Sequence, residues 1–220
     1  MRRKRSFRHA ILAGATAMLL LVAIATGPGP AWLDRLSIVT AYLCMGYLSL
    51  ALIIGPKQAI QSGKPTVNSL LRRDLGIWGA LMGFGHFFLA MVLSMNNEYL
   101  NLFVYVDELP FSAEGRYLLY SWGTIAGFVV CVLFILLVAL SNDRSMRLLG
   151  PRWWKRLQRL AYVAFFLTVL HAFAFQILES RQVLLIAVVA TVVALIFIAQ
   201  LVGIAAVRKA ADTGRDFDRR

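Results

Sequence analysis

The sequence is poor in charged residues and in cysteine. Only 15% of its 220 residues are charged and 60% are hydrophobic, which leaves too little polar surface for a soluble domain of this length. The two cysteines, Cys44 and Cys131, form no Cys-x-x-Cys pair, no haem-attachment motif and no zinc-ligand spacing. These absences argue against a soluble enzyme, a redox dithiol and a zinc site. The net charge of +12 lies in short clusters between apolar runs, a pattern of membrane topology rather than of nucleic-acid binding.

Six apolar runs are long enough to cross a bilayer, which takes about 20 helical residues. They cover approximately residues 9–26, 36–54, 75–95, 117–140, 157–178 and 183–207. We therefore predict an all-α fold, a six-helix transmembrane bundle over residues 9–207. A basic N-terminus (1–8) precedes it and a charged tail (208–220) follows it. No Ala-x-Ala cleavage site follows the first run, so we interpret that run as a retained helix rather than a signal peptide.

Lysine and arginine are distributed very unequally between the two sides of the predicted membrane. Twenty lie on one side, in segments 1–8, 55–74, 141–159 and 208–220. Three lie on the other side: Arg35, Arg116 and Arg181. The positive-inside rule then places both termini in the cytoplasm, and we predict a multi-pass protein of the bacterial inner membrane. Within the longest connection, 96–116, residues 102–106 are apolar but too few to cross the membrane, and this short segment is expected to lie on the outer surface or to cover a cavity mouth.

Two of the three histidines, His86 and His171, lie deep in apolar runs, where an ionisable side chain is costly. Each comes twelve residues after the last charge before its run, Asp74 or Arg159, so both should lie about 18 Å from the cytoplasmic side. For either histidine alone, a functional role and a neutral imidazole hydrogen-bonded to a neighbouring helix explain the position equally well. A level pair on parallel helices can instead supply both axial ligands of one b-type haem iron. We interpret His9, among arginines, as a solvated flanking residue.

Small residues precede each deep histidine on its own helical face, three, seven and ten positions earlier. They are Gly83, Gly79 and Gly76 before His86, and Thr168, Ala164 and Ala161 before His171. A flat macrocycle needs such clearance between helices. Besides the two metal ligands, we therefore predict five haem-contacting residues: Gly76, Gly79, Gly83, Ala164 and Thr168. Ordinary packing of small residues between membrane helices is the competing explanation.

Two segments resemble the ferric-reductase-like transmembrane domain superfamily. One is Leu71-Arg-Arg-Asp-Leu-Gly-Ile-Trp, leading into His86, and the other is Gly150-Pro-Arg-Trp-Trp-Lys-Arg-Leu-Gln-Arg-Leu-Ala-Tyr, running into Val169-Leu-His171. Within the superfamily, residues 40–180 are most similar to the haem-binding membrane subunit of the bacterial methionine-sulfoxide reductase system. The resemblance implies a six-helix bundle that passes electrons through b-type haem, with His86 and His171 as the outer-haem ligands.

The chain departs from this family at a second pair of positions, nearer the cytoplasm. Relatives often carry histidine there, whereas this chain has Arg72 or Arg73 on the third helix and Gln158 on the fifth. Because arginine and glutamine are poor iron ligands, we expect a single haem. Together with Arg159, these residues are interpreted either as positive-inside residues at helix entrances or as a site for an anionic or quinone donor.

The leading functional hypothesis is a membrane electron-transfer cytochrome. Electrons from a quinol or a cytoplasmic flavoprotein would pass through one haem b to an acceptor on the outer side, such as a metal complex, oxygen or a periplasmic reductase partner. The alternative is a non-redox scaffold or assembly subunit that retains the fold without the cofactor. A transporter has little support, since no carboxylate lies inside a span. Lipid is the expected surrounding in each case.

Overall fold

The computed structural model describes residues 2–27, 31–62, 70–96, 113–178 and 183–218, and these residues form seven helices. The helices are α1 (Arg2–Thr26), α2 (Trp32–Ser62), α3 (Leu70–Asn96), α4 (Ala113–Leu140), α5 (Asp143–Gln158), α6 (Leu160–Leu178) and α7 (Val183–Asp218). Within this part of the chain, six helical stretches are long and apolar enough to cross a membrane, with α5 and α6 together making one of them. The predicted all-α, six-helix transmembrane bundle is confirmed.

Helices α3 and α6 run in the same direction, as the matched depth of the histidines required. Near their starts, the Arg72 guanidinium lies 6.0 Å from the ring centre of Tyr162. Further along both helices, the rings of His86 and His171 meet. We call the end of the bundle where α1, α3 and α6 begin the basic end, because most of the lysine and arginine lies there.

Apolar side chains from α2, α3, α4, α6 and α7 form one packed centre. Ala164 on α6 is fully buried, and Phe134 on α4 is only 2% exposed, as are Ala80 on α3 and Val189 on α7. The outward faces are also apolar, as at Phe166 and Phe197, because their surroundings are lipid rather than water. Helix α1 joins the bundle from the side, where the hydroxyls of Thr16 and Tyr47 are 2.6 Å apart.

The segment between α4 and α6 differs from the prediction. The predicted runs 117–140 and 157–178 leave a basic connection between them, but most of residues 141–159 form helix α5. The Asn142 side chain caps its start, and the helix bends at Gly150, whose φ of 72° is readily adopted only by glycine. The indole N–H of the buried Trp154 donates to the Leu140 carbonyl at 2.8 Å and fastens α5 to the end of α4.

The other predicted boundaries are compared with the helices as follows. Helix α1 begins at Arg2, within the predicted basic N-terminus, and α7 continues to Asp218, through most of the predicted tail. Most of the outer connection 96–116 lies outside the described residues, and so does Arg181.

Candidate functional site

The structure brings the two deep histidines together. His86 on α3 and His171 on α6 have ring centroids 6.1 Å apart, with the ring planes inclined by 73°. Both residues are partly buried within the bundle. The prediction that they lie level on parallel helices is confirmed.

Each imidazole is held through its Nδ1 atom by a backbone carbonyl group. His86 Nδ1 lies 2.9 Å from the Ser37 carbonyl oxygen, and His171 Nδ1 lies 2.8 Å from that of Gly123. A carbonyl oxygen only accepts hydrogen bonds, so Nδ1 carries the hydrogen in both rings. In a neutral imidazole the lone pair is then on Nε2, which is the arrangement that metal-ligating histidines use.

The ring centroids of the pair are 6.1 Å apart, so both imidazoles would be close enough to bind a single metal ion between them. If the cofactor is haem, these two residues would hold its iron. Among the described residues, no group of three or more histidine, cysteine or acidic side chains could hold a metal ion. A pair is nevertheless sufficient for haem, because the porphyrin supplies the other four nitrogens.

Three residues that support the histidines were not predicted from the sequence. Ser37 and Gly123 contribute their carbonyl groups, and Gly127 allows α4 to approach the ring of His171. A Cβ atom at Gly127 would lie 2.7 Å from His171 Nδ1 and 2.8 Å from Cε1, which is too close. The Gly-x-x-x-Gly spacing of Gly123 and Gly127 was the available signal, since it typically marks close helix packing in membranes.

The small residues on the α3 face are in different surroundings from one another. A Cβ at Gly83 would lie 2.5 Å from a ring carbon of Phe134, and one at Gly79 would lie 3.2 Å from Leu48. A Cβ at Gly76 would meet nothing within 4 Å. Gly79 and Gly83 therefore permit close packing of α3 against α2 and α4. Their contact with a cofactor stays a prediction.

On α6, the predicted small residues differ in burial, with Ala164 in the packed centre and Thr168 partly buried. Ala164 is fully buried, and the Thr168 hydroxyl donates to the Ala164 carbonyl at 2.8 Å. Thr168 thus satisfies its polar group within its own helix, leaving its methyl group for packing. A cofactor contact at either residue also stays a prediction.

The basic end contains ion pairs instead of a second histidine pair. The Arg73 guanidinium, almost fully buried, lies 2.7 Å from an Asp143 carboxylate oxygen at the start of α5. At Gln158 the side-chain Nε2 is buried without a hydrogen-bond partner, and Arg72 lies over the Tyr162 ring. Arg73 is therefore engaged in an ion pair, and the expectation of a single haem stays a prediction.

His9 is placed differently from its interpretation as a solvated flanking residue. It is half-buried and accepts a hydrogen bond from the Trp78 indole N–H at Nδ1, over 3.1 Å. Its Nε2 lies 3.5 Å from Asp74, a fully buried carboxylate that Arg5 and Arg8 also contact at 2.9 Å. The solvated interpretation was wrong, because α1 packs its basic start against α3.

The site is thus a pair of partly buried histidines that meet inside a bundle of helices long and apolar enough to cross a membrane. Residues 40–169, more than half of the chain, match the family described as ferric reductase like transmembrane component, and the chain belongs to that family. His86 and Gly123 lie inside the matched region, and His171 lies two residues beyond its end. No solved structure matches the chain. The family membership supports an oxidoreductase-associated membrane component.

Proposed function

We propose that this protein is a b-type cytochrome that passes electrons across the membrane through one haem held by His86 and His171. The observation that carries the proposal is the histidine pair, with centroids 6.1 Å apart and each Nδ1 fixed by a carbonyl group. Haem supplies one-electron chemistry at its iron. Two histidine ligands leave the iron no open position, which favours electron transfer over substrate chemistry at the metal.

The protein's own residues hold the ligands in position. The Ser37 and Gly123 carbonyl groups fix which nitrogen carries the hydrogen and limit rotation of each ring. On one side of His171, Gly127 leaves room for the imidazole, and the Phe175 ring packs 4.8 Å from it on another. Helices, rather than loops, carry both ligands, so their separation is fixed by the packing of the bundle.

One haem, rather than two, follows from the number of histidines. The chain contains three, and the third, His9, is engaged by Trp78 and Asp74 at the basic end. The electron donor we propose is a quinol or a cytoplasmic flavoprotein at the basic end. The acceptor would lie on the opposite side of a bacterial inner membrane. A periplasmic reductase, as in the methionine-sulfoxide reductase system that the sequence resembles, is one such acceptor.

The test is the reduced-minus-oxidised absorption spectrum of the purified protein, expressed with haem supplied. We expect the sharp bands of low-spin b-type haem in the wild type and their loss in His86→Ala and in His171→Ala. His9→Ala is the matched control, because it removes the remaining histidine and should keep the bands. A colourless wild type would refute the cofactor, and unchanged spectra in both ligand variants would refute the ligands.

A non-redox scaffold is the second candidate, and the contacts of the small residues are the observation that favours it. Gly79 and Gly83 pack closely against Leu48 and Phe134, as they would in a bundle that needs no cofactor. The same spectra separate the two functions, because a scaffold gives a folded, colourless wild type even when haem is supplied.

A further inference from the structure

Helix α5 carries an exposed face on which apolar and basic side chains alternate. Leu148 is 77% exposed and Trp153 is 61% exposed, which is unusual for side chains of this size outside a membrane span. The Arg156 guanidinium lies 5.0 Å from the Trp153 ring centre, and Arg152 is exposed next to it. Indole and guanidinium groups arranged together in this way favour the boundary between hydrocarbon and headgroups.

The opposite face of α5 is attached to the bundle, so its orientation is fixed. Trp154 is buried and bonded to the Leu140 carbonyl, and Asp143 is paired with the buried Arg73. The side chains of Leu148 and Trp153 therefore cannot turn inwards without breaking these contacts. Their surroundings must be supplied from outside the chain.

The position of α5 limits what those surroundings can be. Two residues separate it from the end of α4, and Arg159 alone separates it from α6. Helices α5 and α6 together form one stretch long enough to cross the membrane, and α6 is its apolar part whereas α5 contains its charged residues. Helix α5 therefore lies at the membrane boundary, at the basic end. A helix tied to the bilayer at both ends, with exposed leucine and tryptophan, is expected to lie in the plane of the interface.

The charge of α5 indicates which lipids it contacts. It has five basic residues and one acidic residue, Asp143, whose carboxylate is already paired with Arg73. The basic residues are Arg144, Arg147, Arg152, Lys155 and Arg156. Clustered cations beside a membrane span attract anionic headgroups, and each cation near the surface adds to the free energy of this attraction.

We propose that α5 is an interfacial helix that binds anionic phospholipid headgroups of the leaflet at the basic end. Leu148 and Trp153 enter the acyl boundary, while Arg152 and Arg156 contact headgroup phosphates. The proposal does not depend on haem, so it can hold or fail separately from the proposed function. The occupant is lipid rather than a protein, since the anchoring of α5 at both ends keeps its exposed face at the bilayer.

The first experiment measures lipid selectivity of the full-length protein in vesicles of phosphatidylcholine, with and without phosphatidylglycerol, using spin-labelled lipids of each type. We expect the wild type to prefer phosphatidylglycerol severalfold, with the preference falling at high salt. Arg152→Gln with Arg156→Gln should lose most of this preference. The matched control, Lys57→Gln with Arg208→Gln, removes two exposed charges from other helices at the same end and should keep most of it.

The second experiment places α5 relative to the bilayer. A nitroxide on Leu148→Cys, in a Cys44→Ala and Cys131→Ala background, should be more accessible to oxygen than to an aqueous nickel chelate. No lipid preference in the wild type, or equal losses in the α5 and control variants, would overturn the proposal. A label that is reached mainly by the nickel chelate would also overturn the proposal, because this face of α5 would then point to water, where a protein partner could cover it.

Discussion

At the basic end, the buried Asp74 carboxylate is held by the Arg5 and Arg8 guanidinium groups, whereas deeper in the bundle backbone carbonyl groups hold the His86 and His171 imidazoles. Both regions enclose ionisable side chains, but they stabilise them differently. One region uses opposite charges, and the other uses neutral dipoles.

The difference separates a region with a structural role from the region that we propose binds the haem. An ion pair satisfies the charge of its members, so the Asp74 cluster has a complete role in joining α1 to α3. A carbonyl group that accepts a hydrogen bond from one imidazole nitrogen keeps the hydrogen there and leaves the lone pair of the other nitrogen for a metal ion. Variants of the two regions should therefore separate stability from haem binding.

The largest effect is expected at Asp74. Asp74→Asn leaves the Arg5 and Arg8 cations facing a neutral amide, and the side chains of both arginines are about two-thirds buried. We expect the free energy of unfolding to fall by about 3 kcal/mol, as when one partner of a buried ion pair is removed. Chemical denaturation in detergent, followed by circular dichroism, measures this loss, and the haem bands of the folded fraction should not change.

Asp34→Asn is the control for this variant. Asp34 accepts a hydrogen bond from the backbone N–H of Ala31 at the start of α2, a role that asparagine performs equally well. Its stability should stay close to that of the wild type. If Asp74→Asn were equally stable, or if it lost haem without losing stability, the contrast between the two regions would not hold.

A smaller effect on stability, but a direct effect on haem, is expected at Gly127. A Cβ there would lie 2.7 Å from His171 Nδ1, so Gly127→Ala must displace the ring or move α4 away from α6. We expect a loss of about 2 kcal/mol from overpacking, together with reduced haem content or shifted bands. Gly46→Ala is the control, because a Cβ at Gly46 meets nothing within 4 Å. Normal haem binding in Gly127→Ala would contradict the assigned geometry around His171.

The fold could be predicted from the sequence because its signals are long or repeated. Six apolar runs predicted the transmembrane helices. His86 and His171 each follow the last preceding charge by the same number of residues, and this equal spacing predicted that their rings lie at the same depth. Helix α5 was not predicted because Gly150 and Pro151 interrupt it in the middle and because its many cations are typical of a connection between spans. A glycine with positive φ can bend a helix as well as end it.

The parts of the site that could not be predicted depend on tertiary contacts. Backbone carbonyl groups, such as those of Ser37 and Gly123, are present at every residue, so no side-chain pattern marks the ones that accept from histidine. The surroundings of His9 depend on how α1 packs against Asp74 and Trp78, which hydropathy does not specify. Local periodicity predicts which face of a helix is buried but not the partner that it meets.

The smallest effect expected, an energetic coupling, tests whether the glycine face of α3 serves packing. Gly83→Ala places a Cβ 2.5 Å from a ring carbon of Phe134, and Phe134→Leu removes the atoms that it would strike. If close packing is the role of Gly83, the double variant should be more stable than the sum of the single losses predicts, by about 1 kcal/mol. Unfolding free energies of the wild type, both single variants and the double variant measure this coupling. Additive losses of stability, with haem binding lost in Gly83→Ala and not recovered in the double variant, would instead assign Gly83 to the cofactor. The two results thus distinguish a packing role for Gly83 against Phe134 from the predicted contact with a cofactor.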